Sequence, residues 1–138
     1  MRILFDTNVI LDIIEKRDEF AEASFRLFQM CEDGFVEGFV STQSVADIFY
    51  ILRKNYPATK RKELLRDVCA VLDVVDVVKL HVLSALSDDG FPDLEDGIIS
   101  KCAEDNGINH IITRNKQDFA ASRIPVATPR EFLDKMRV

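Results

Sequence analysis

The stretch from Arg2 to Asp12, RILFDTNVILD, constrains the fold more than any other part of the chain. An apolar run over Ile3–Phe5 stops at Asp6, and the dense apolar pattern of a largely buried helix follows. This order predicts a buried strand that ends in a carboxylate and turns directly into a helix. In open parallel sheets, ligands and catalytic groups gather beyond the carboxyl ends of the strands, so Asp6 is a candidate site residue. The alternative is that Asp6 only caps the following helix.

The chain of 138 residues has the size of one domain and contains no linker rich in Pro, Gly or Ser, so we expect a single domain over residues 1–138. Acidic residues interrupt the N-terminal apolar run, which is not typical of a signal peptide. No apolar window is long enough to span a membrane. The cysteines (Cys31, Cys69 and Cys102) are odd in number and widely spaced, which favours reduced, buried thiols. These features predict a cytoplasmic protein.

The charge of the chain limits the classes of function. A net charge of −6 argues against loose nucleic-acid binding through a global positive field. It does not argue against a nuclease, because a site that gathers carboxylates around Mg²⁺ is itself acidic. With only His81 and His110 present, histidine-centred chemistry has little material. Local basic residues are candidates for phosphate contacts, although such runs are more often a solvated helix face: Arg53, Lys54, Lys60, Arg61, Lys62 and Arg66.

Apolar periodicity and turn residues predict the other elements. The predicted strands after the first are Phe35–Val40, Val74–Val78, His110–Thr113 and a short one around Val126. The predicted helices are Asp18–Cys31, one capped by Ser41 or Thr42, Lys60–Leu72, Lys79–Leu86, one after Asp93 and one from Pro129. Right-handed crossovers between such units place helices on both faces of a parallel sheet. We therefore expect an α/β fold, a three-layer α/β/α sandwich with a central parallel sheet of about four or five strands.

Four acids from four different units arise at or shortly after the shared carboxyl edge of the predicted sheet: Asp6, Asp47, Asp96 and Asp118. Each has an alternative role as a helix cap, a residue favoured by the helix dipole, or a solvated surface acid. Close carboxylates repel one another unless a cation lies between them. Their coincidence on one rim therefore predicts a hard-metal site, with Mg²⁺ or Mn²⁺ as the expected ion.

Several segments together resemble the PIN domain, the fold of the VapC-type toxin ribonucleases: FDTNVILD, STQSVADIFYIL, DLEDGIISKCAEDNGINHIITRN and QDF. The resemblance covers nearly the whole chain. It implies that the metal ligands are Asp6, Asp47, Asp96 and Asp118. It implies that polar residues line or support the pocket, namely Asn8, Thr113, Arg114 and Asn115. Two supplementary acids, Asp93 and Glu95, match without an assigned role. Many members carry Glu where this chain has the shorter Asp47, which leaves open whether Asp47 binds metal directly or orients a water.

The resemblance and the acids together predict hydrolysis of phosphodiester bonds in RNA. The carboxylates would hold one or two divalent ions, which lower the pKa of a bound water and stabilise charge on the attacked phosphate. Asp6 is the expected principal or bridging ligand, with Asp96 and Asp118 completing the site. No base-reading motif is visible, so specificity is expected to come from RNA shape and single-stranded segments. The resemblance also implies a homodimer and a small antitoxin protein as a candidate partner.

Two other classes of function stay open at this stage. One is a binding module that keeps the fold and the acidic pocket but acts by capturing a partner. The other is a phosphatase with Asp6 as covalent nucleophile, which DTN matches weakly because a second acid is expected where Asn8 stands. Metal-dependent cleavage of RNA without a phospho-enzyme separates the three.

Overall fold

The computed structural model describes residues 1–136, except for the side chain of Asp18. A five-stranded parallel sheet with the order β3-β2-β1-β4-β5 forms the middle of the molecule. Its strands are β1 (Arg2–Phe5), β2 (Glu37–Ser41), β3 (Asp73–Val75), β4 (His110–Ile112) and β5 (Val126–Ala127). The α-helices are α1 (Thr7–Glu15), α2 (Asp18–Glu32), α3 (Thr42–Ile51), α4 (Ala58–Val71), α5 (Lys79–Leu86), α6 (Leu94–Asp105) and α7 (Pro129–Met136). Short 3-10 turns cover Leu52–Lys54 and Lys116–Phe119.

Side chains of the central strand β1 alternate between two separate apolar cores, as the pleat of a strand requires. Ile3 and Phe5 are fully buried in a core shared with α1, α2, α3, α4 and α7. Leu4 points to the opposite face, into a core shared with α6 and with the loop residue Phe91. Helix α5 packs on α6 outside this second core. The three-layer α/β/α sandwich and the parallel sheet predicted from the sequence are therefore confirmed.

Two strand boundaries differ from the prediction by more than one residue. The segment predicted to begin at Phe35 enters the sheet only at Glu37, because the positive φ of Gly34 (82°) turns the chain and leaves Phe35 73% exposed. Strand β3 stops at Val75 instead of Val78. Two side chains outside the sheet take the next amide donors: Val77 N donates to Thr42 Oγ1 at 3.1 Å, and Val78 N donates to His81 Nδ1 at 3.0 Å.

The prediction that all three thiols are buried is wrong for one of them. Cys31 and Cys102 are buried, but Cys69 is exposed on the outer side of α4 and lines an open groove between α3 and α4. The three thiols are free, as predicted. Among residues 1–136, no helix combines the length and the apolar character needed to cross a bilayer.

Gly38 of β2 provides a test of the packing under the sheet. A Cβ at this position would lie 2.5 Å from Leu72 Cδ2 and 2.6 Å from Cys31 Sγ, both in the first core. We expect Gly38→Ala to lower the free energy of unfolding by about 1 to 3 kcal/mol, the usual cost of overpacking. Gly97→Ala is the control, because its nearest contact would be 3.3 Å from the Cβ of Ala85. Urea denaturation of both variants measures the difference, and equal stabilities would contradict the packing described.

Candidate active site

The carboxyl edge of the sheet brings the ends of β1 and β4 together. The register pairs Phe5 with Ile112, so the next residues, Asp6 and Thr113, leave the sheet side by side. Asp6 N donates to the Ile112 carbonyl at 2.9 Å, which continues the ladder by one step. The Thr113 hydroxyl then donates to Asp6 Oδ2 at 2.7 Å. Sheet register therefore fixes the position of the Asp6 carboxylate.

Asp6 is also the N-cap residue of α1, as the alternative role required. Its Oδ1 accepts a hydrogen bond from Thr7 N at 2.8 Å, and the residue is only 6% exposed. Burial raises the pKa of the Asp6 carboxyl, and the hydrogen bonds from Thr113 and Thr7 partly oppose that shift. The charge of Asp118 raises the pKa further. Capping and a role in a site are compatible here, because Oδ2 is held by side chains and not by the helix backbone.

The polar residues predicted to support the pocket form one network around Asp6. Asn8 Nδ2 donates to Asp6 Oδ2 at 3.3 Å, and Arg114 N donates to Asn8 Oδ1 at 3.3 Å. Asn115 N donates to Thr113 Oγ1 at 3.1 Å. Each predicted residue thus contacts Asp6 or one of its neighbours, Arg114 and Asn115 through the backbone. The network locks the loop after β4 onto the start of α1.

The first turn of α6 supplies a second group of acids. Asp93 is the N-cap residue, and its Oδ1 accepts from Glu95 N at 2.8 Å and from Asp96 N at 3.4 Å. Burial raises the pKa of Asp96 to about 7, and the charges of Asp6, Asp93 and Asp118 act in the same direction. Asp96 therefore lies within the electrostatic reach of acids from the end of β1 and from the 3-10 turn after β4.

Asp47 of α3 meets Glu95 and not the Asp6 carboxylate. Hydrogen bonding to Asp47 is the largest cause of a rise in the pKa of Glu95 to about 8, and burial and the charges of Asp47, Asp93 and Asp96 add to it. Oδ2 of Asp47 is buried and has no hydrogen-bond partner among the residues described. The short arm of Asp47 thus ends at a second carboxyl group.

The predicted acids form two groups that are connected to each other. The charges of Asp93 and Asp118 act on Asp6 and Asp96, and Asp47 joins this group through Glu95. Within residues 1–136, however, no three His, Cys, Asp or Glu side chains stand close enough together to hold a metal ion as they are oriented. The site is a collection of mutually destabilised carboxylates, which favours binding of protons or cations.

Asp12 was not predicted as a functional residue, and it is fully buried in α1. Its Oδ2 lies 2.6 Å from Arg114 Nε, and its Oδ1 lies 3.8 Å from Arg17. The Arg114 guanidinium also lies over the Phe20 ring, 4.5 Å from its centroid. A carboxylate in the middle of the apolar run VILDII was the available signal. The backbone of Arg114 serves the pocket, and its side chain anchors the loop to α1.

Two serines join α1 to α3: Ser41, the predicted cap residue, and Ser44, which was not predicted to have a role. Thr7 Oγ1 donates to Ser44 Oγ at 2.9 Å, and Ser41 Oγ donates to the same hydroxyl oxygen at 3.1 Å. Ser41 is the N-cap residue of α3, as predicted, and accepts from Ser44 N at 3.1 Å. These buried contacts keep the helix that carries Asp47 beside the helix that Asp6 begins.

Comparison with solved structures identifies relatives of the fold. DNA-bound VapBC from Salmonella typhimurium matches with a TM-score of 0.73 and 17% identity over 94% of this chain and 98% of that chain. A toxin-antitoxin complex from Klebsiella pneumoniae matches with a TM-score of 0.68 and 22% identity over 92% and 97%. VapC20 of Mycobacterium tuberculosis, a toxin that cleaves the sarcin-ricin loop, matches with a TM-score of 0.68 and 13% identity over 88% and 95%.

The sequence itself gives a match at the level of the family. No protein in a curated set matches the chain. The sequence model of the PIN domain matches residues 2–117, which include β1 to β4 and the candidate acids Asp6, Asp47 and Asp96. Because the match covers most of the sequence, the chain belongs to the PIN domain family.

Proposed function

We propose that this protein is a divalent-metal-dependent endoribonuclease that hydrolyses phosphodiester bonds in RNA, and that the chain acts as a single nuclease domain. The supporting observation is the gathering of carboxylates from β1, α3, α6 and the turn after β4 at one edge of the sheet. Helix capping alone does not account for this group of acids, because the pKa of Asp96 is raised to about 7 and that of Glu95 to about 8.

The donor set fits Mg²⁺ or Mn²⁺ in kind. Both ions prefer carboxylate oxygens, and Oδ2 of Asp47 is a buried oxygen without a partner among the residues described. We propose Asp6, Asp96, Asp118 and Asp47 as the ligands or their supports, with Asp93 and Glu95 as neighbouring acids. The bound ion would lower the pKa of a water and stabilise negative charge on the attacked phosphate.

The side chains of this chain prepare the site for that chemistry. Thr113 and Asn8 hold Oδ2 of Asp6 in one orientation, so the carboxylate loses little freedom on binding a cation. Hydrogen bonding to Asp47, burial and neighbouring charges raise the pKa of Glu95 to about 8, which provides a group able to accept or release a proton near neutral pH beside the site. Asp93 fixes the first turn of α6 and therefore the position of Asp96.

The two competing functions have less support. A phosphatase nucleophile must reach substrate freely, whereas Asp6 is 6% exposed and both of its oxygens accept hydrogen bonds. A pure binding module gains nothing from carboxylates whose charged forms are destabilised by their neighbours. If no metal ion supports cleavage of RNA by this protein, a binding role becomes the better supported function.

The proposed biological role is that of a toxin in a toxin-antitoxin system. The support is the likeness to VapBC complexes and to VapC20, a toxin that cleaves the sarcin-ricin loop. A small antitoxin protein is accordingly the proposed partner, RNA is the proposed substrate, and a homodimer is the proposed assembly.

Removal of the principal proposed ligand tests the enzyme directly. We expect purified protein to cleave RNA in Mg²⁺ or Mn²⁺, to be silent in EDTA, and to lose roughly 100-fold or more of its rate in Asp6→Asn, since metal catalysis supplies several kcal/mol. The amide still accepts the Thr7 N–H, so α1 keeps its cap. Asp67→Asn, an exposed acid of α4, is the matched control. Gel analysis of RNA fragments measures cleavage, and full activity in EDTA would refute the proposal.

Thermal melting tests whether the acids repel one another. Because the folded-state pKa of Asp96 is about 7 and its ordinary value is 3.8, the native state binds more protons than the unfolded chain between these values. The stability of the metal-free protein therefore falls as pH rises through this window. At pH 8 in EDTA we expect Asp96→Asn to melt above wild type by about 2 to 5 °C, allowing for solvent screening of a half-exposed carboxyl.

Near pH 4 the two proteins should melt together, and the variant should lose most of the rise in melting temperature that Mg²⁺ gives wild type. Asp134→Asn, an exposed acid of α7, serves as control. If Asp96→Asn melts below wild type at pH 8 without metal and gains as much from Mg²⁺, Asp96 is a structural residue.

Self-association is expected from exposed apolar side chains. The sequence predicts them on the phenylalanine-rich helix from Phe20 to Phe28 and on the helix after Ser41. In the first of these helices, Phe20 and Phe25 are 42% and 49% exposed. Helix α5 exposes a larger set: Leu80 at 64%, Leu83 at 49% and Leu86 at 58%. We expect a dimer by light scattering at tens of micromolar and a monomer after Leu83→Asp, because a charge cannot be buried unpaired in an apolar interface. A monomeric wild type would contradict the proposed assembly.

A further inference from the structure

An exposed aromatic side chain stands one helical turn beyond the candidate site. Tyr50 of α3 is 62% exposed, although the ring offers a large apolar face. The Arg53 guanidinium carbon lies 3.7 Å from the ring centroid, so one face is covered by a cation. Arg53 is itself anchored, because its Nη1 donates to the Tyr50 carbonyl at 2.9 Å. Tyr50 and Arg53 thus form a stacked pair, the plate, in which the remaining ring surface is open to solvent.

The plate is connected to the site through α3. Tyr50 follows Asp47 by three residues, so both side chains lie on the same side of the helix within about 5 Å along its axis. Helical side chains lean toward the N-terminus, which brings the Tyr50 ring toward Asp47. An RNA substrate bound at the acidic edge would reach Tyr50 within one or two nucleotides.

The surroundings of the plate are positive, in contrast to the acidic edge. Tyr50 and Arg53 line a cleft of about 410 Å³ that also includes Arg17, Lys54 and Glu15. Glu15 is neutralised by Arg17 at 2.6 Å, and it accepts a hydrogen bond from an asparagine of the same cleft. Among the residues that the structure describes, Arg53 donates only to a carbonyl, and Lys54 is exposed, so both charges are available to an anion.

An aromatic ring backed by a guanidinium and flanked by basic side chains suits single-stranded nucleic acid. Unpaired bases stack on such rings without regard to sequence, and basic side chains follow the phosphates. Duplex RNA does not fit, because its bases are already stacked inside the helix. A protein partner would favour a broader apolar surface than the one that Tyr50 and Ile51 provide among the charged residues of this cleft.

We propose that Tyr50, backed by Arg53, is a stacking platform for an unpaired base of the RNA substrate, and that Arg53 and Lys54 contact its phosphates. This inference rests on the proposed ribonuclease function and extends it to substrate recognition. Tyr50 is a binding residue and takes no part in the cleavage step. The platform makes an unpaired segment beside the scissile bond a condition for tight binding.

Tyrosine fluorescence provides a direct test, because the chain contains no tryptophan and only two tyrosines. The variant Tyr56→Phe leaves Tyr50 as the sole emitter. In EDTA, so that no cleavage is expected, a single-stranded RNA oligonucleotide should quench this emission, and a duplex of the same strand should not. Equal quenching by both forms, or by neither, would overturn the proposal.

Binding constants of the intact protein in EDTA provide the second test. Tyr50→Ala should weaken binding of the single strand by about 5- to 100-fold, the range for loss of one stacked base, and Tyr50→Phe should retain it. Phe35→Ala is the matched control, since Phe35 is 73% exposed but lies at the amino end of the sheet. Arg26→Ala, an exposed cation of α2, is the charge control for Arg53→Ala.

The outcomes separate this inference from the proposed function. If Tyr50→Ala binds and cleaves RNA like wild type in Mg²⁺, the platform is refuted and the ribonuclease stands. If Tyr50→Ala changes only the oligomeric state, the surface binds protein and the platform is likewise refuted. If stacking is lost in Tyr50→Ala but wild type never cleaves RNA with any metal, the platform stands and the proposed enzyme does not.

Discussion

Burial of carboxylates beside one another at one edge of a parallel sheet, which destabilises their charged forms, is the constraint on which the rest of this structure depends. The fold opposes it with fixed donors: the Thr113 hydroxyl and the Thr7 amide on Asp6, and two α6 amides on Asp93. These donors lower the cost of charge at the capping acids. At Asp96, by contrast, burial and the charges of Asp6, Asp93 and Asp118 raise the pKa to about 7. The part of the repulsion that the fold leaves uncompensated is the part that a cation can relieve.

An ion pair with a buried carboxylate connects the two elements that form this edge. Asp12 and Arg114 meet at 2.6 Å between α1 and the loop after β4, the two elements that carry Asp6 and Thr113. Breaking one half of such a pair strands a buried charge and typically costs about 3 to 5 kcal/mol. The pair therefore contributes more to the uniqueness of the loop position than to net stability. The short hydrogen bond between Thr113 and Asp6 requires that position.

The fold and the position of Asp6 at the carboxyl edge of the sheet could be predicted from the sequence. The contacts between side chains across that edge could not. Alternating strand and helix patterns dictate a parallel sheet, and the strand end at Phe5 places Asp6 at its carboxyl edge without knowledge of any partner. The meeting of Asp47 with Glu95 depends on how α3 and α6 pack, which no local pattern encodes. The end of β3 is similar, because it depends on donors captured by Thr42 and His81 from other elements. Whether the acids bind metal stays a prediction.

Charge is distributed unevenly along α3, and this bears on how a polyanion would approach. The helix begins beside the acidic edge and is followed by the 3-10 turn that carries Arg53 and Lys54, in a chain whose net charge is −6. Without a cation, the edge repels phosphate, and the cleft at the end of the helix is the nearby region with available positive charge. With a cation bound, the sign at the edge would reverse and the two regions would attract successive phosphates. Tyr50 lies between them, where a base attached to those phosphates would be presented. Under the proposed function, the order of charges along α3 would set the direction in which a single strand is held.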